Sequence, residues 1–221
     1  SISRTGMARL CSPAASSRWA TSVPASTCSG SNSRTRSRNS KARSSLSSRV
    51  SAICAARYGL DATAVFRAPN AAAVAKAIHE VRSQTMGGLE AARQGAAFAM
   101  QGVLERDGHL GMLIDQHFTR GVIVDFMGRP ALTNPILGKF AKRFDCPVHG
   151  VRVVRLPNRR FRLELTPPLD LPRDENGEVD VAAAMQEMTR VVEGWVRENP
   201  GQWLWMHRRW RPEFTGEKLE S

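Results

Sequence analysis

The first 56 residues of the chain contain no aspartate and no glutamate, although the whole sequence has 20 acidic residues. They do contain nine basic residues, so the net charge of +12 falls to about +3 (12 − 9) without this segment. The segment is rich in serine and has neither a helical nor a strand period. Such a segment cannot bury enough apolar surface to offset the entropy of ordering, so we predict that it is disordered. Its basic residues are Arg4, Arg9, Arg18, Arg34, Arg36, Arg38, Lys41, Arg43 and Arg49.

Three interpretations of residues 1–56 remain open. An arm that binds nucleic acid would place basic side chains against phosphates, and residues 33–45 have that composition but lack aromatic side chains for base stacking. A transit peptide is also rich in serine and arginine and poor in acids. The third interpretation is translation out of frame up to about residue 56, which accounts for the missing acids, the missing periodicity and three scattered cysteines. We favour the third, because the rest of the sequence is so different.

Long apolar runs, paired cysteines and an apolar leader are also missing. No stretch of about 18 apolar residues occurs, so no transmembrane helix is expected, and residues 1–20 lack the apolar core of a secretory signal. The four cysteines form no CxxC pair. This spacing argues against a zinc site or a disulfide framework and fits a reducing compartment. Because the first residue is Ser1 and not methionine, we expect the chain to be a fragment.

From residue 57 onward the sequence has the pattern of a folded α/β protein. Short apolar or alternating runs separated by helical periods predict a mixed sheet flanked by helices. Asp180 is placed to cap the last long helix, and Pro200 ends it. The predicted strands are a run ending at Phe66, then 110–114, 121–126, and a hairpin of 148–155 with 160–165. The predicted helices are 71–82, 89–106, one beginning near Thr133 or Asn134, and 181–199.

Four motifs occur in order along this patterned part. They are FRAPN (66–70), GHLGMLIDQ (108–116), FMGRPALTNP (126–135) and NPGQWLWMHRRWRP (199–212). Together they resemble the lipid A late acyltransferases, the lauroyl and myristoyl transferases of Gram-negative bacteria. The resemblance covers about residues 57–212. It implies a fold like that of the glycerolipid acyltransferases, here incomplete at its N-terminal side.

The resemblance also implies a reaction and its partners. The donor is an acyl thioester on acyl carrier protein, and the acceptor is a hydroxyl of a phosphorylated lipid A precursor. The reaction uses no metal and no organic cofactor, and it takes place at the cytoplasmic face of the bacterial inner membrane with peripheral membrane contact. In this family a His-x4-Asp/Glu motif supplies the general base and the carboxylate that orients it.

The sequence departs from the family at this motif. It should lie shortly before residues 56–60, but the preceding stretch SSLSSRVSAICA has neither histidine nor acid, and none of the five histidines has an acid five positions later. A truncation or a frameshift that joins the correct frame near residue 57 explains this departure. We therefore expect an O-acyltransferase by resemblance whose present chain is inactive.

The remaining site candidates come from the motifs. By resemblance Arg67 would stabilise an oxyanion or bind phosphate, and Asp115 would orient it or a substrate group, since both follow predicted strands. Gln116 follows Asp115 in the sequence and is expected to contact the substrate. The catalytic candidates are thus Arg67 and Asp115, and the substrate-binding candidates are Gln116, Arg129, Thr133, Arg208 and Arg209.

Each candidate also has an ordinary structural explanation. Arg129 and Thr133 lie on a loop before a helix, where they suit a phosphate or a plain turn. The Trp/Arg segment 203–211 suits an anionic membrane surface, although some of its tryptophans would instead plug the core.

Two functions of different classes therefore stand side by side. The first is the acyltransferase, with residues 1–56 as a disordered or out-of-frame segment, 57–212 as the acyltransferase domain and 213–221 as a tail. The alternative is a basic, non-enzymatic module that binds nucleic acid or an anionic membrane through residues 1–56.

Overall fold

The structure is a computed structural model that describes residues 7–10, 62–66, 80, 88–91, 95–158 and 160–210. These residues form eight strands and three complete α-helices. The strands are β1 (Met7–Leu10), β2 (Ala62–Phe66), β3 (Gly88–Ala91), β4 (His109–Leu113), β5 (Val122–Phe126), β6 (Arg129–Thr133), β7 (Val148–Arg155) and β8 (Phe161–Pro168). The helices are α1 (Ala96–Glu105), α2 (Ile136–Phe144) and α3 (Val181–Glu198), and a 3-10 helix follows at Pro200–Gln202.

Six strands form one mixed sheet in the order β3-β2-β4-β1-β7-β8, and β5 pairs with β6 in a separate hairpin. Strand β2 is parallel to β3 and β4, whereas β1 is antiparallel to both β4 and β7. It follows that β2, β4 and β7 run in the same direction and end at one edge, which we call the carboxyl edge. The predicted fold class, a mixed sheet flanked by helices, is confirmed.

Helix α3 covers the core and begins as the sequence predicts. The Asp180 carboxylate accepts the N–H groups of Ala182 (2.8 Å) and Ala183 (3.0 Å), which satisfies two donors of the first turn. Its apolar stripe is buried, as expected from its helical spacing. Gly150 in β7 lets the helix approach, because a Cβ there would lie 2.6 Å from the Trp195 ring. The buried stripe consists of Met185, Met188, Val192 and Trp195.

Two element boundaries differ from the sequence prediction. The helix predicted to start at Leu89 starts at Ala96, because Gly88–Ala91 pairs with β2 as a strand and Gly95 turns the chain with φ +87°. The loop predicted from Gly128 to Thr133 is mostly strand β6. Its Pro130 is tolerated because β6 lies in a two-stranded hairpin with a free side.

The N-terminal segment also differs in part from the expectation. Residues 1–50 were predicted to be mostly irregular, but Met7–Leu10 forms β1 and pairs on both sides, with β4 and β7. Every other residue of 1–56 lies outside the described part. The same holds for the predicted helix 71–82 apart from Glu80, which is helical. None of the helices in the described part has the length and hydropathy needed to cross a bilayer.

Candidate functional site

The loop after β4 carries Asp115 and Gln116 to the carboxyl edge, where the sequence predicts a ligand site. Asp115 is buried and Gln116 is half-buried. This position follows from the short apolar run of β4, whose residues Leu110 and Met112 pack into the core and fix where the strand ends. A buried carboxylate at the end of a central strand requires a partner of opposite charge.

Arg209 is the positive charge beside this carboxylate. Its side chain is 1% exposed, and its Nη1 donates to the carbonyl oxygens of Gln116 (3.0 Å) and Leu132 (2.6 Å). Its Nη2 donates to the hydroxyl of Thr133. The planar guanidinium thus ties the loop after β4 to the end of β6, a fork-shaped arrangement that lysine cannot reproduce.

Burial lowers the pKa of Arg209 to about 10, and the carboxylate of Asp115 opposes this shift. The guanidinium therefore remains charged at neutral pH. A positive charge next to the Asp115 carboxyl group is favourable, since a buried charge without a counter-charge is strongly unfavourable.

The two candidates on β6 have different environments. Thr133 is fully buried and its hydroxyl accepts from Arg209, so it lies inside this network. Arg129 is exposed at the other end of the strand, and its guanidinium lies 5.8 Å from the centre of the Trp210 ring. Just before α2, Oδ1 of Asn134 accepts the N–H of Ile136 at 3.1 Å, and Pro135 is the N-cap residue of the helix.

A second bond joins the C-terminal segment to the loop after β4. The backbone N–H of His117 donates to Nε2 of His207 at 3.0 Å, so His207 carries its proton on Nδ1 in this arrangement. Sequence reasoning did not identify this pair. Its only signal in the sequence is that His207 lies within the fourth motif and His117 directly follows the second.

The tryptophans of the C-terminal segment lie partly in the core and partly at the surface. Trp203 is 1% exposed and its ring centre lies 5.5 Å from that of Phe126. Trp210 stacks on the same phenylalanine at 5.5 Å, whereas Trp205 is 50% exposed. The expectation that some tryptophans plug the core is met by Trp203.

The predicted site residues are thus brought together only in part. Asp115, Gln116, Thr133 and Arg209 form one network, while Arg208 is exposed. The burial of Arg209 argues against the predicted direct contact of its side chain with substrate or headgroups. Arg67, the other catalytic candidate, lies outside the described residues.

A small apolar pocket lies beside the network. Its volume is about 10 Å³, room for about one water molecule, and Ile114, the residue before Asp115, lines it together with Leu169 and Trp195. Within the described ranges, no three histidine, cysteine or acidic side chains cluster closely enough to hold a metal ion.

Comparison with known proteins identifies the family. Residues 49–212 match the sequence profile of the bacterial lipid A biosynthesis acyltransferases. The match extends eight residues further towards the N-terminus (57 − 49) than the motifs indicated and covers about three-quarters of the chain. Among curated proteins, none matches this sequence. The chain belongs to the bacterial lipid A biosynthesis acyltransferase family.

Proposed function

We propose that this domain serves to transfer a fatty acyl chain from acyl carrier protein to a hydroxyl of a phosphorylated lipid A precursor. The family match over residues 49–212 is the observation that carries the proposal. The reaction would occur at the cytoplasmic face of the bacterial inner membrane, where the domain makes peripheral contact. It would contribute to lipopolysaccharide biosynthesis.

The proposed chemistry is an ester exchange. The acceptor hydroxyl loses its proton to a general base and attacks the thioester carbonyl, and the tetrahedral intermediate then expels the thiolate. Arg67 is proposed to stabilise the developing oxyanion or hold a phosphate. Asp115 is proposed to orient a substrate group from the carboxyl edge, and Gln116, Arg129 and Arg208 would surround the substrate. Thr133, which is fully buried, would act by holding Arg209 in place.

The 221-residue chain is proposed to be inactive. A general base typically contributes about 10²–10⁴-fold, and the sequence lacks both the histidine and the carboxylate of the family motif. Asp115 is buried beside the charged Arg209, so we do not propose it as the general base.

The test is an acyl-transfer assay in detergent with labelled acyl-acyl carrier protein and a Kdo-bearing lipid A precursor. We expect no turnover above background from the 221-residue chain. We expect turnover from a chain whose upstream coding sequence is read in the frame that restores a His-x4-Asp/Glu motif. Robust turnover by the 221-residue chain would contradict the proposed inactivity, and a restored chain that transfers no acyl group would contradict the proposed reaction.

The same assay on the restored chain tests Asp115. Asp115→Asn should lower kcat by about 10²-fold because a misplaced substrate costs about that much. The matched control is Asp145→Asn, since Asp145 is 71% exposed by its side chain and lies after α2 at the opposite edge of the sheet. Equal activity of the two variants would remove Asp115 from the site, and a thermal melt of each variant separates unfolding from lost chemistry.

A further inference from the structure

Strands β7 and β8 extend beyond the rest of the sheet at the carboxyl edge. Leu113 of β4 and Val151 of β7 lie at the same level, because both are aligned with Met7 of β1. Strand β4 ends there, whereas β7 continues for four more residues (155 − 151) to Arg155. At about 3.4 Å per residue, the end of the hairpin therefore lies about 13 Å beyond the level at which β4 ends. This is the edge at which Asp115 lies.

A residue of the fourth motif holds the end of this hairpin. The side-chain amide of Gln202 accepts the N–H of Arg155 at 2.9 Å and donates to the carbonyl oxygen of Arg155 at 3.2 Å. Within the hairpin, the N–H of Leu156 donates to the carbonyl oxygen of Arg160 at 2.9 Å. Arg155 is aligned with Phe161, which follows Arg160. Arg155 and Arg160 therefore lie at the same end of one hairpin, and the C-terminal segment fixes that end.

The arginines of this hairpin differ in their carboxylate partners. Glu164 forms ion pairs with both Arg152 and Arg162. Among the described residues, no carboxylate lies within ion-pair distance of Arg155 or Arg160. The end of the hairpin therefore carries two positive charges that the described part of the chain leaves uncompensated.

The end of the hairpin offers charged and polar groups rather than apolar surface. Asn158 and Arg160 are exposed, and the guanidinium of Arg155 lies 5.5 Å from the centre of the Phe161 ring. The described residues at this end include no exposed large apolar side chain. Surfaces that bind a bilayer combine basic side chains with apolar ones, whereas charge alone is enough to attract and orient an acidic protein. The hairpin therefore fits an acidic protein better than a membrane.

We propose that the end of the β7–β8 hairpin, with Arg155 and Arg160, docks an acidic carrier protein that bears the acyl thioester. Carboxylates of the carrier would pair with the two guanidinium groups, which raises the association rate and sets the orientation of the carrier. A carrier bound there lies at the carboxyl edge, so its thioester can reach the loop that holds Asp115. The inference rests on the proposed function, because that reaction takes its acyl chain from a carrier protein.

The test is the binding of the full 221-residue chain to immobilised, acylated acyl carrier protein, measured by surface plasmon resonance. Arg155→Gln with Arg160→Gln should raise Kd about tenfold, because each exposed ion pair contributes about threefold. This increase should shrink as added salt screens the charges. Arg155→Lys with Arg160→Lys keeps both charges and should change Kd by about twofold or less. Residues 1–56 are present in every variant, so their contribution cancels from these ratios.

The matched control is Arg106→Gln with Arg143→Gln. Both arginines are exposed, and neither forms an ion pair with a described residue. Arg106 directly precedes the start of β4 and Arg143 the start of β7, so both lie at the opposite edge of the sheet. The control removes the same two charges and should bind the carrier like the parent chain. Circular dichroism and a thermal melt of all variants show which are folded.

Three outcomes would overturn the proposal. One is an unchanged Kd for the folded Arg155/Arg160 glutamine variant, and a loss of its binding to anionic vesicles instead would assign the hairpin to the membrane. Another is an equal increase in the control, which would make the attraction a matter of net charge alone. The third is no binding of the carrier by the parent chain. Failure of acyl transfer in the restored chain, with the carrier still bound through the hairpin, would count against the proposed function alone.

Discussion

Arg208 and Arg209 are neighbours in the sequence, but their side chains have opposite environments. Arg208 is exposed, whereas Arg209 donates to three acceptors in the interior and lies beside Asp115. The two residues lie in a segment of turns and bends, where the Arg209 N–H donates to the carbonyl of His207 at 2.8 Å, and only one of the two side chains faces the core. The fold uses one arginine for its own polar network and leaves the other exposed.

Replacing Arg209 tests the size of this structural contribution. Arg209→Met keeps much of the side-chain volume but removes the positive charge beside Asp115 and the hydrogen bonds to three buried acceptors. We expect the free energy of unfolding to fall by about 3–5 kcal/mol. Urea titration followed by circular dichroism measures the change.

The control for this change is the neighbouring arginine. Arg208→Met should alter the free energy of unfolding by less than about 0.5 kcal/mol, because its side chain is exposed. Arg209→Lys should fall between the two, since an ammonium keeps the charge but not the forked geometry. A small effect of Arg209→Met would show that the network contributes little to the fold.

At this scale the sequence predicts positions better than environments. Asp115 lies at the end of a central strand, as the apolar run 110–114 before it predicts. The burial of Arg209 could not be foreseen, because it depends on carbonyl groups of residues 116 and 132, far away along the chain. Two adjacent arginines have the same chemistry until the packing of the segment distinguishes them.

Among the elements, helix α3 holds the β5–β6 hairpin through two polar side chains. Gln186 accepts the N–H of Asp125 (2.7 Å) and donates to its carbonyl (3.0 Å), as a neighbouring strand would. Glu193 accepts the N–H of Met127 at 2.8 Å, at the turn where Met127 has φ +60°. These bonds hold the β5–β6 hairpin against α3. Strand β6 carries Leu132 and Thr133, which both accept hydrogen bonds from Arg209.

The carboxylate of Glu193 makes this support dependent on pH. Burial raises its pKa, but the N–H of Met127 and the guanidinium of Arg197 lower it, and the net pKa lies below the usual 4.5. A carboxyl group with a lowered folded-state pKa stabilises the fold above about pH 4.5 and loses this contribution as the pH falls through the folded pKa.

We therefore expect Glu193→Gln to lower the free energy of unfolding by about 1–2 kcal/mol at neutral pH. The difference from the parent should shrink as the pH falls below 4.5, since a protonated Glu193 resembles glutamine. Denaturant titrations across this range measure it. Glu187→Gln is the control, because Glu187 pairs with Arg190 inside the helix and such a pair contributes about 0.5 kcal/mol or less. A constant difference between Glu193→Gln and the parent at all pH values would contradict the assignment.

Elements with a clear hydrophobic period could be predicted from the sequence, whereas short strands that form only by pairing with another strand could not. Strand β4, the β7–β8 hairpin and helix α3 with its Asp180 cap lie close to where the sequence predicts them. The sequence predicts the start of a helix at β3, because four residues are too few to show a strand period. The strand forms because it pairs with β2. The sequence predicts a loop at β6, because Gly128 and Pro130 are residue types typical of loops.

At the scale of the whole molecule, one short strand connects two halves of the sheet. Strand β1 lies between β4 and β7, with β3 and β2 on one side and β8 on the other. Its four residues are aligned with four residues on each side, Leu110–Leu113 and Val148–Val151. The patterned part of the chain, residues 57–212, supplies every other strand of this sheet, so the prediction of its fold class did not need β1.

Arg9→Pro tests whether β1 joins these halves. Proline removes a backbone donor and is excluded from central strands, so the lost hydrogen bond alone should cost about 1–3 kcal/mol. We expect a lower midpoint in urea and earlier aggregation, because the edges of β4 and β7 would become available for pairing with other chains. Arg9→Ala removes the same charge but keeps the donor, so it should unfold like the parent. Equal unfolding of the proline and alanine variants would mean that residues 1–56 add nothing to the fold, as an out-of-frame segment would.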